Sequence, residues 1–166
     1  MSALESGPLL DVDGAVAWRE ALRARGRRVV FTNGCFDLLH AGHVHYLKWA
    51  RAQGDALIVG LNSDASVREI KGEARPIVPF EDRAEVLLGL RSVDAVVGFA
   101  ERTPVFLLER LRPDVHVKSD QYREDELPER SIVLAGGGRI ALAPHVGGKS
   151  TTDMVARILH AYRRNG

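Results

Sequence analysis

Two kinds of apolar pattern take turns along the chain. Short runs, Arg28 to Gly34, Ala56 to Leu61, Ala95 to Phe99, Val115 to Lys118 and Arg139 to Ala143, have the length and content of strands. Ala56 to Leu61 is apolar throughout, as expected of a strand covered on both faces. Between these runs, apolar residues fall at helical spacing. Val12 to Arg25 carries Val16, Leu22 and several alanines and ends at Gly26, a glycine placed to close a helix. Ala41 to Gln53 repeats Val44, Leu47 and Trp49/Ala50 and stops at Gly54. Phe80 to Leu90 and Glu129 to Ala135 also read as helices. Thr103 is expected as an N-cap with Pro104 in the first turn, and Ser150-Thr-Thr-Asp153 opens a terminal helix through Ala161.

Strands alternating with helices imply right-handed crossovers and parallel pairing. The expected fold class is α/β: a doubly wound parallel sheet of about five strands with helices on both faces, in a single domain. Residues 1–26 are expected to form an N-terminal helical extension, and 27–166 the domain that carries the chemistry. In such sheets ligands bind beyond the carboxyl ends of the strands, where strand order reverses. That rule singles out the loops after the first and last strands.

Composition adds exclusions. A formal net charge of +1 gives no broad electrostatic footprint for nucleic acid. No apolar run approaches the roughly 20 residues that span a bilayer, so no membrane partner is expected. Met1 to Asp13 lacks the basic-then-apolar order of a signal peptide. The single cysteine, Cys35, excludes an internal disulfide and fits a reducing compartment, so the expected location is cytoplasmic.

The first-strand loop reads Thr32-Asn-Gly-Cys-Phe-Asp-Leu-Leu-His-Ala-Gly-His43. His40 and His43 stand three positions apart at a helix entry and so share one side of its first turn. Gly42 between them lets a ligand approach the backbone, and the helix start offers unpaired N–H groups to an anion. Imidazoles there can donate to phosphate oxygens. An ordinary polar surface would also carry such a pair. A transition-metal site is the third reading, but His45 points elsewhere on a helix and no second ligand cluster appears, so no metal ligands are assigned. Cys35 reads as a small buried apolar residue.

The last-strand loop reads Pro144-His-Val-Gly-Gly-Lys-Ser-Thr-Thr152, with hydroxyls at a helix start where phosphate is favoured; a plain N-cap is the alternative. Gly148-Lys149-Ser150 also looks like the end of a P-loop. Ala143 stands where that motif needs its first glycine, and Pro144 stiffens the loop, so a P-loop kinase is a competing reading only.

Together, the 32–43 motif and Gly-Lys-Ser-Thr-Thr at 148–152 resemble the paired signatures of the cytidylyltransferase-like nucleotidyltransferases, a family with a Rossmann-like fold. Within it the chain is most similar to the D-glycero-β-D-manno-heptose 1-phosphate adenylyltransferases, from about Arg28 to Ile158. The resemblance implies transfer of a nucleoside monophosphate from ATP to a sugar 1-phosphate with release of pyrophosphate. It implies catalytic roles for His40, His43, Lys71, Ser150 and Thr151, with Lys71 in a flexible Lys-Gly-Glu-Ala-Arg segment. Thr32, Asn33, Gly34, Phe36, Gly42, Lys118, Asp120 and Thr152 are expected to bind nucleotide, and Asp37, Asp64 and Arg83 the substrate. Mg2+ is expected as a cofactor bound through the triphosphate, and a homodimer as the assembly.

Departures keep CTP open. Lys118-Ser-Asp-Gln-Tyr122 stands where heptose enzymes show Lys-Gly-Gly-Asp-Tyr, and Asp120 falls where glycerol 3-phosphate cytidylyltransferases keep an aspartate. Those relatives also carry Arg-Thr ahead of the last motif, where this chain has His145-Val146, which favours ATP. An FAD-synthetase-like enzyme and a catalytically silent nucleotide-binding subunit remain as alternatives.

Overall fold

The computed structural model describes residues 7–145 and 150–163. Its strands are β1 (Leu9–Leu10), β2 (Val29–Gly34), β3 (Ala56–Asn62), β4 (Ala95–Phe99), β5 (Val115–Ser119) and β6 (Arg139–Ala143). The helices are α1 (Val12–Arg23), α2 (Ala41–Arg51), α3 (Asp64–Lys71), α4 (Phe80–Leu88), α5 (Val105–Leu111), α6 (Arg130–Ala135) and α7 (Thr151–Arg163). All strand pairs are parallel, in a six-stranded sheet of order β1-β4-β3-β2-β5-β6.

The sheet has one strand more than the expected five. β1 adds it by pairing Leu9 with Val96 and Leu10 with Val97; two residues are too few to make a pattern. α3 was also not expected. Its apolar content is slight, and what starts it is a cap: the Ser63 hydroxyl accepts from the Ser66 N–H at 3.2 Å. α5 begins one residue later than expected. Pro104, not Thr103, occupies its cap position, with no side-chain cap bond.

Gly26 closes α1 as its position predicts. It takes φ +68, while its N–H reaches the Arg23 carbonyl and that of Arg27 the Leu22 carbonyl, the bond pair of a Schellman ending.

Two apolar layers sandwich the sheet. Leu47 and Ala50 of α2 and Ala84 and Leu87 of α4 pack with Val30, Leu57, Val59 and Val96 on one face. Ala15 of α1, Leu107 and Leu111 of α5 and Val133 of α6 pack with Val29, Phe31, Ile58 and Val97 on the other. Each fully buried leucine here contributes about 1.5–3 kcal/mol.

Strand order decides where a ligand can sit. From β2 the chain steps one way to β3 and β4, then crosses back to lay β5 and β6 on the other side. Order therefore reverses between β2 and β5, and the loops leaving their carboxyl ends part to open a crevice.

Candidate active site

The floor of the crevice is built by the turn that follows β2. Phe36 adopts a left-handed backbone (φ +44), which folds its ring back over Gly34; a Cβ on Gly34 would lie 3.0 Å from that ring. The ring also meets His43, centroids 5.4 Å apart. Asp37 follows, 4% exposed. Its carboxylate accepts from the Ile77 N–H (2.8 Å), the Val78 N–H (2.8 Å) and the Arg75 guanidinium. Burial alone would push this carboxyl up, but the two amides and Arg75 outweigh it and hold the pKa below the ordinary value. Asp37 thus clamps the segment from 75 to 78 beside the cleft.

His40 is the N-cap of α2, and its Nδ1 accepts the Gly42 N–H at 3.1 Å. In the neutral ring the proton therefore sits on Nε2. The His43 ring stacks on it with centroids 4.0 Å apart. Desolvation, then the neighbouring His40, push the His43 pKa from 6.5 down to about 4, so this imidazole is neutral at physiological pH. Its Nδ1 is buried without a partner among the described residues.

The opposite wall comes from the start of α7. The Ser150 hydroxyl accepts the Asp153 N–H (3.0 Å) and donates to the Asp153 carboxylate (2.7 Å), a reciprocal cap. The Thr151 hydroxyl donates to the Leu38 carbonyl at 3.3 Å, tying this helix start to the first loop. Val146 to Lys149, including the glycine and lysine of the P-loop-like stretch, lie outside the described residues.

These elements enclose one cleft of about 560 Å3. Among the expected site residues it is lined by Asn33, Gly34, Phe36, Asp37, His40, Gly42, His43, Lys71, Lys118, Ser150, Thr151 and Thr152. Two helix starts, α2 and α7, thereby face a common space, each contributing a positive dipole end. Lys71 is the last residue of α3, and Arg75 donates its N–H back to the Gly72 carbonyl in a tight turn just beyond it.

Four expected residues do not line the cleft. Thr32 is fully buried, its hydroxyl 2.7 Å from that of Tyr46 and 3.0 Å from the Val117 carbonyl. Arg83 is 1% exposed and donates to the carbonyls of Val78, Cys35 and Asn62 and to the Asp64 carboxylate at 2.7 Å. Asp64 is thereby engaged. The Asp120 carboxylate accepts the His145 N–H at 3.0 Å, fastening the exit from β6.

Sequence reasoning passed over other lining residues, notably Arg102, Tyr122 and Glu129. Glu129 is 3% exposed, and its carboxylate accepts from Lys118 at 3.1 Å; the Lys118 ammonium also lies 5.3 Å from the Tyr122 ring centroid. The glutamate sits at a helix start eleven positions from its partner, and nothing in the local pattern marks it. Cys35 is half-buried in the cleft wall and not in the core, and burial pushes its thiol up, away from a thiolate.

A family model described as cytidylyltransferase-like matches residues 31–135, the stretch that supplies β2, α2 and the crevice floor. The chain belongs to the cytidylyltransferase-like family. It is 54% identical over 142 residues to "Bifunctional protein HldE" of Geobacter sulfurreducens, covering 86% of this chain and 29% of that protein. The protein of the same name from Magnetococcus marinus is 54% identical over 135 residues, 81% of this chain and 28% of that one. That from Methylobacillus flagellatus is 46% identical over 157 residues, 95% and 32%. This cytidylyltransferase-like chain thus spans about 30% of the length of these curated relatives. Among solved structures it is similar to a lipopolysaccharide core biosynthesis protein from Thermoplasma volcanium, with TM-score 0.60 and 28% identity, covering 73% of this chain and 98% of that one.

Proposed function

We propose that this chain is a nucleotidyltransferase that transfers AMP from ATP to D-glycero-β-D-manno-heptose 1-phosphate, giving an ADP-sugar and pyrophosphate. One observation carries the reading: the stacked His40–His43 pair and the first turn of α7 line a single cleft at the strand-order reversal. The 54% identity to a bifunctional HldE protein and the likeness to a lipopolysaccharide core biosynthesis protein support the sugar-phosphate acceptor.

The chemistry follows from charge. An oxygen of the substrate phosphate attacks the α-phosphorus in line; the new P–O bond forms as the bond to the bridging oxygen breaks, and pyrophosphate carries away that electron pair. No protein nucleophile is needed. Negative charge grows on the bridging and equatorial oxygens, and donors already fixed in place stabilise it without reorganisation. His40, its Nδ1 occupied by Gly42, offers Nε2–H; neutral His43 donates without adding a charge that His40 would oppose. The amides opening α7, with the Thr152 hydroxyl, take the β- and γ-phosphates from the facing wall, while Thr151 ties that helix start to the first loop.

Mg2+ fits as a companion of the triphosphate. No group of three or more His, Cys, Asp or Glu side chains suited to a metal occurs among the described residues, so phosphate oxygens and water would be its ligands. When bound it would screen the triphosphate against a second anion. Asp120, the feature shared with the glycerol 3-phosphate cytidylyltransferases, does not itself line the cleft and accepts the His145 N–H, which leaves ATP the better-supported triphosphate. The proposal includes a homodimer and a cytoplasmic location, where ATP is supplied; no helix among the described residues is long and apolar enough to cross a membrane.

Coupled pyrophosphate release, run with ATP and CTP against heptose 1-phosphate and glycerol 3-phosphate, tests the reading. ATP with the heptose is expected to be the productive pair. His43→Ala should lower kcat/KM at least about 100-fold, the range for loss of a transition-state donor, with an unchanged circular dichroism spectrum. Undiminished pyrophosphate release in that variant would remove the first loop from the mechanism.

A further inference from the structure

The cleft is charged unevenly. Four lysine or arginine side chains line it among the described residues: Lys71, Arg75, Arg102 and Lys118. Two are already neutralised. Arg75 is paired with buried Asp37, and Lys118 with buried Glu129 at 3.1 Å. No ion pair or hydrogen bond engages the side chain of Lys71 or Arg102 among the described residues. Both belong to the β3–β4 side, whereas the Lys118–Glu129 pair and the Tyr122 ring belong to the β5 side.

The two unpaired cations are also mounted together. Arg102 follows Glu101, whose carbonyl accepts from the Ser66 hydroxyl (3.1 Å) and the Asn62 amide (3.4 Å). Ser66 and Asn62 are both buried, and the Asn62 amide also donates to Ser66 at 2.9 Å. Ser66 lies in α3, the helix that Lys71 ends, five residues further on and about 7.5 Å along the axis. Helix and loop thus mount an ammonium and a guanidinium on the same side of the cleft.

A triphosphate and a phosphate monoester repel each other, so the monoester needs cations not already spent. We propose that Arg102 is the second anchor of the acceptor: the phosphate dianion lies between Lys71 and Arg102, and the uncharged nucleoside lies toward Lys118, Glu129 and Tyr122. Arg102 suits this role because its planar fork binds phosphate bidentately, while Lys71 adds a point charge. The inference rests on the nucleotidyltransferase reading and deepens it by assigning a direction to the bound pair.

Arg102→Gln and Arg102→Lys test it, since the exposed side chain can be exchanged without disturbing the core. Steady-state pyrophosphate release with ATP and heptose 1-phosphate should show the KM for the sugar phosphate raised at least tenfold in Arg102→Gln. The KM for ATP should stay within twofold, and Arg102→Lys should recover part of the loss. Titration calorimetry with heptose 1-phosphate alone should show the same tenfold weakening. Wild-type turnover with no dependence on residue 102, or an equal rise in the KM for ATP, overturns the anchor and leaves the nucleotidyltransferase reading standing. Phosphate-ester binding that depends on Arg102, without pyrophosphate release from any triphosphate, overturns that reading and keeps the anchor. Wild-type protein that binds neither heptose 1-phosphate nor glycerol 3-phosphate overturns both.

Discussion

The Thr151 hydroxyl donates to the Leu38 carbonyl at 3.3 Å, joining residues 113 positions apart. This bond fixes the separation of the two helix starts that face the cleft. Thr151→Val keeps the shape and removes the donor. The expected result is a stability loss of about 1 kcal/mol together with a several-fold rise in the KM for ATP. Denaturant titration and initial rates check the pair; an unchanged KM would reduce the bond to a strut.

Asp37 holds the 75–78 segment through two amides and Arg75. Asp37→Asn leaves one amide acceptor and an unpaired Arg75, at an expected cost of about 3 kcal/mol for breaking a buried ion pair. Limited proteolysis should then cut between 72 and 78 far faster than in wild type. Equal cleavage rates would show that the clamp does not order this segment.

Arg83 meets four acceptors, one each on β3, α3 and the loops at Cys35 and Val78, from a nearly sealed position. Arg83→Lys keeps the charge and loses the fork, so unsatisfied carbonyls should cost roughly 1–3 kcal/mol each. Urea unfolding should register this loss while the remaining folded protein keeps its KM for the sugar phosphate. A changed KM at unchanged stability would instead assign Arg83 to substrate.

Acid sensitivity has named sources. His116 is fully buried and stacked on Phe31, and desolvation, helped by Lys118, pushes its pKa from 6.5 to about 4. His43 shifts the same way. The folded state keeps both rings neutral, whereas the unfolded chain takes up protons near pH 6.5. Their stabilisation is therefore complete above about pH 6.5 and disappears as pH falls toward 4. For His116 the loss is on the order of 3 kcal/mol, and less for half-buried His43. Urea titrations at pH 7.0, 5.5 and 4.5 should show it, and His116→Leu should flatten the trend. A flat wild-type profile would contradict the assignment.

Much of this was legible in the chain, for physical reasons. β3 is apolar from Ala56 to Leu61 because both its faces are covered, and Gly26 and Gly54 follow the ends of α1 and α2. His40 and His43 stand out because they follow a buried strand and a glycine-containing turn and open a helix. β1 was not legible, since two residues paired only by backbone leave no side-chain pattern. Asp37 and Arg83 were read as substrate groups. A charged residue looks the same in sequence whether it meets a ligand or a partner distant in the chain; here Asp37, which lines the cleft, meets Arg75, and Arg83, inside α4, meets Asp64. Glu129 and Arg102 went unnoticed because their meaning depends on which neighbouring charges are already matched.

The turn after α3 carries a thermodynamic consequence. Gly72 adopts φ +97, and Arg75, three residues on, is fixed to buried Asp37, while Ser63 caps the other end of the helix. Lys71 therefore sits on backbone that is ordered before any ligand arrives. Immobilising its side chain costs at most about 2 kcal/mol of rotamer entropy, whereas ordering a free loop would cost about 1–2 kcal/mol for every residue. Preorganisation of this kind lets one ammonium contribute most of its Coulombic attraction to affinity.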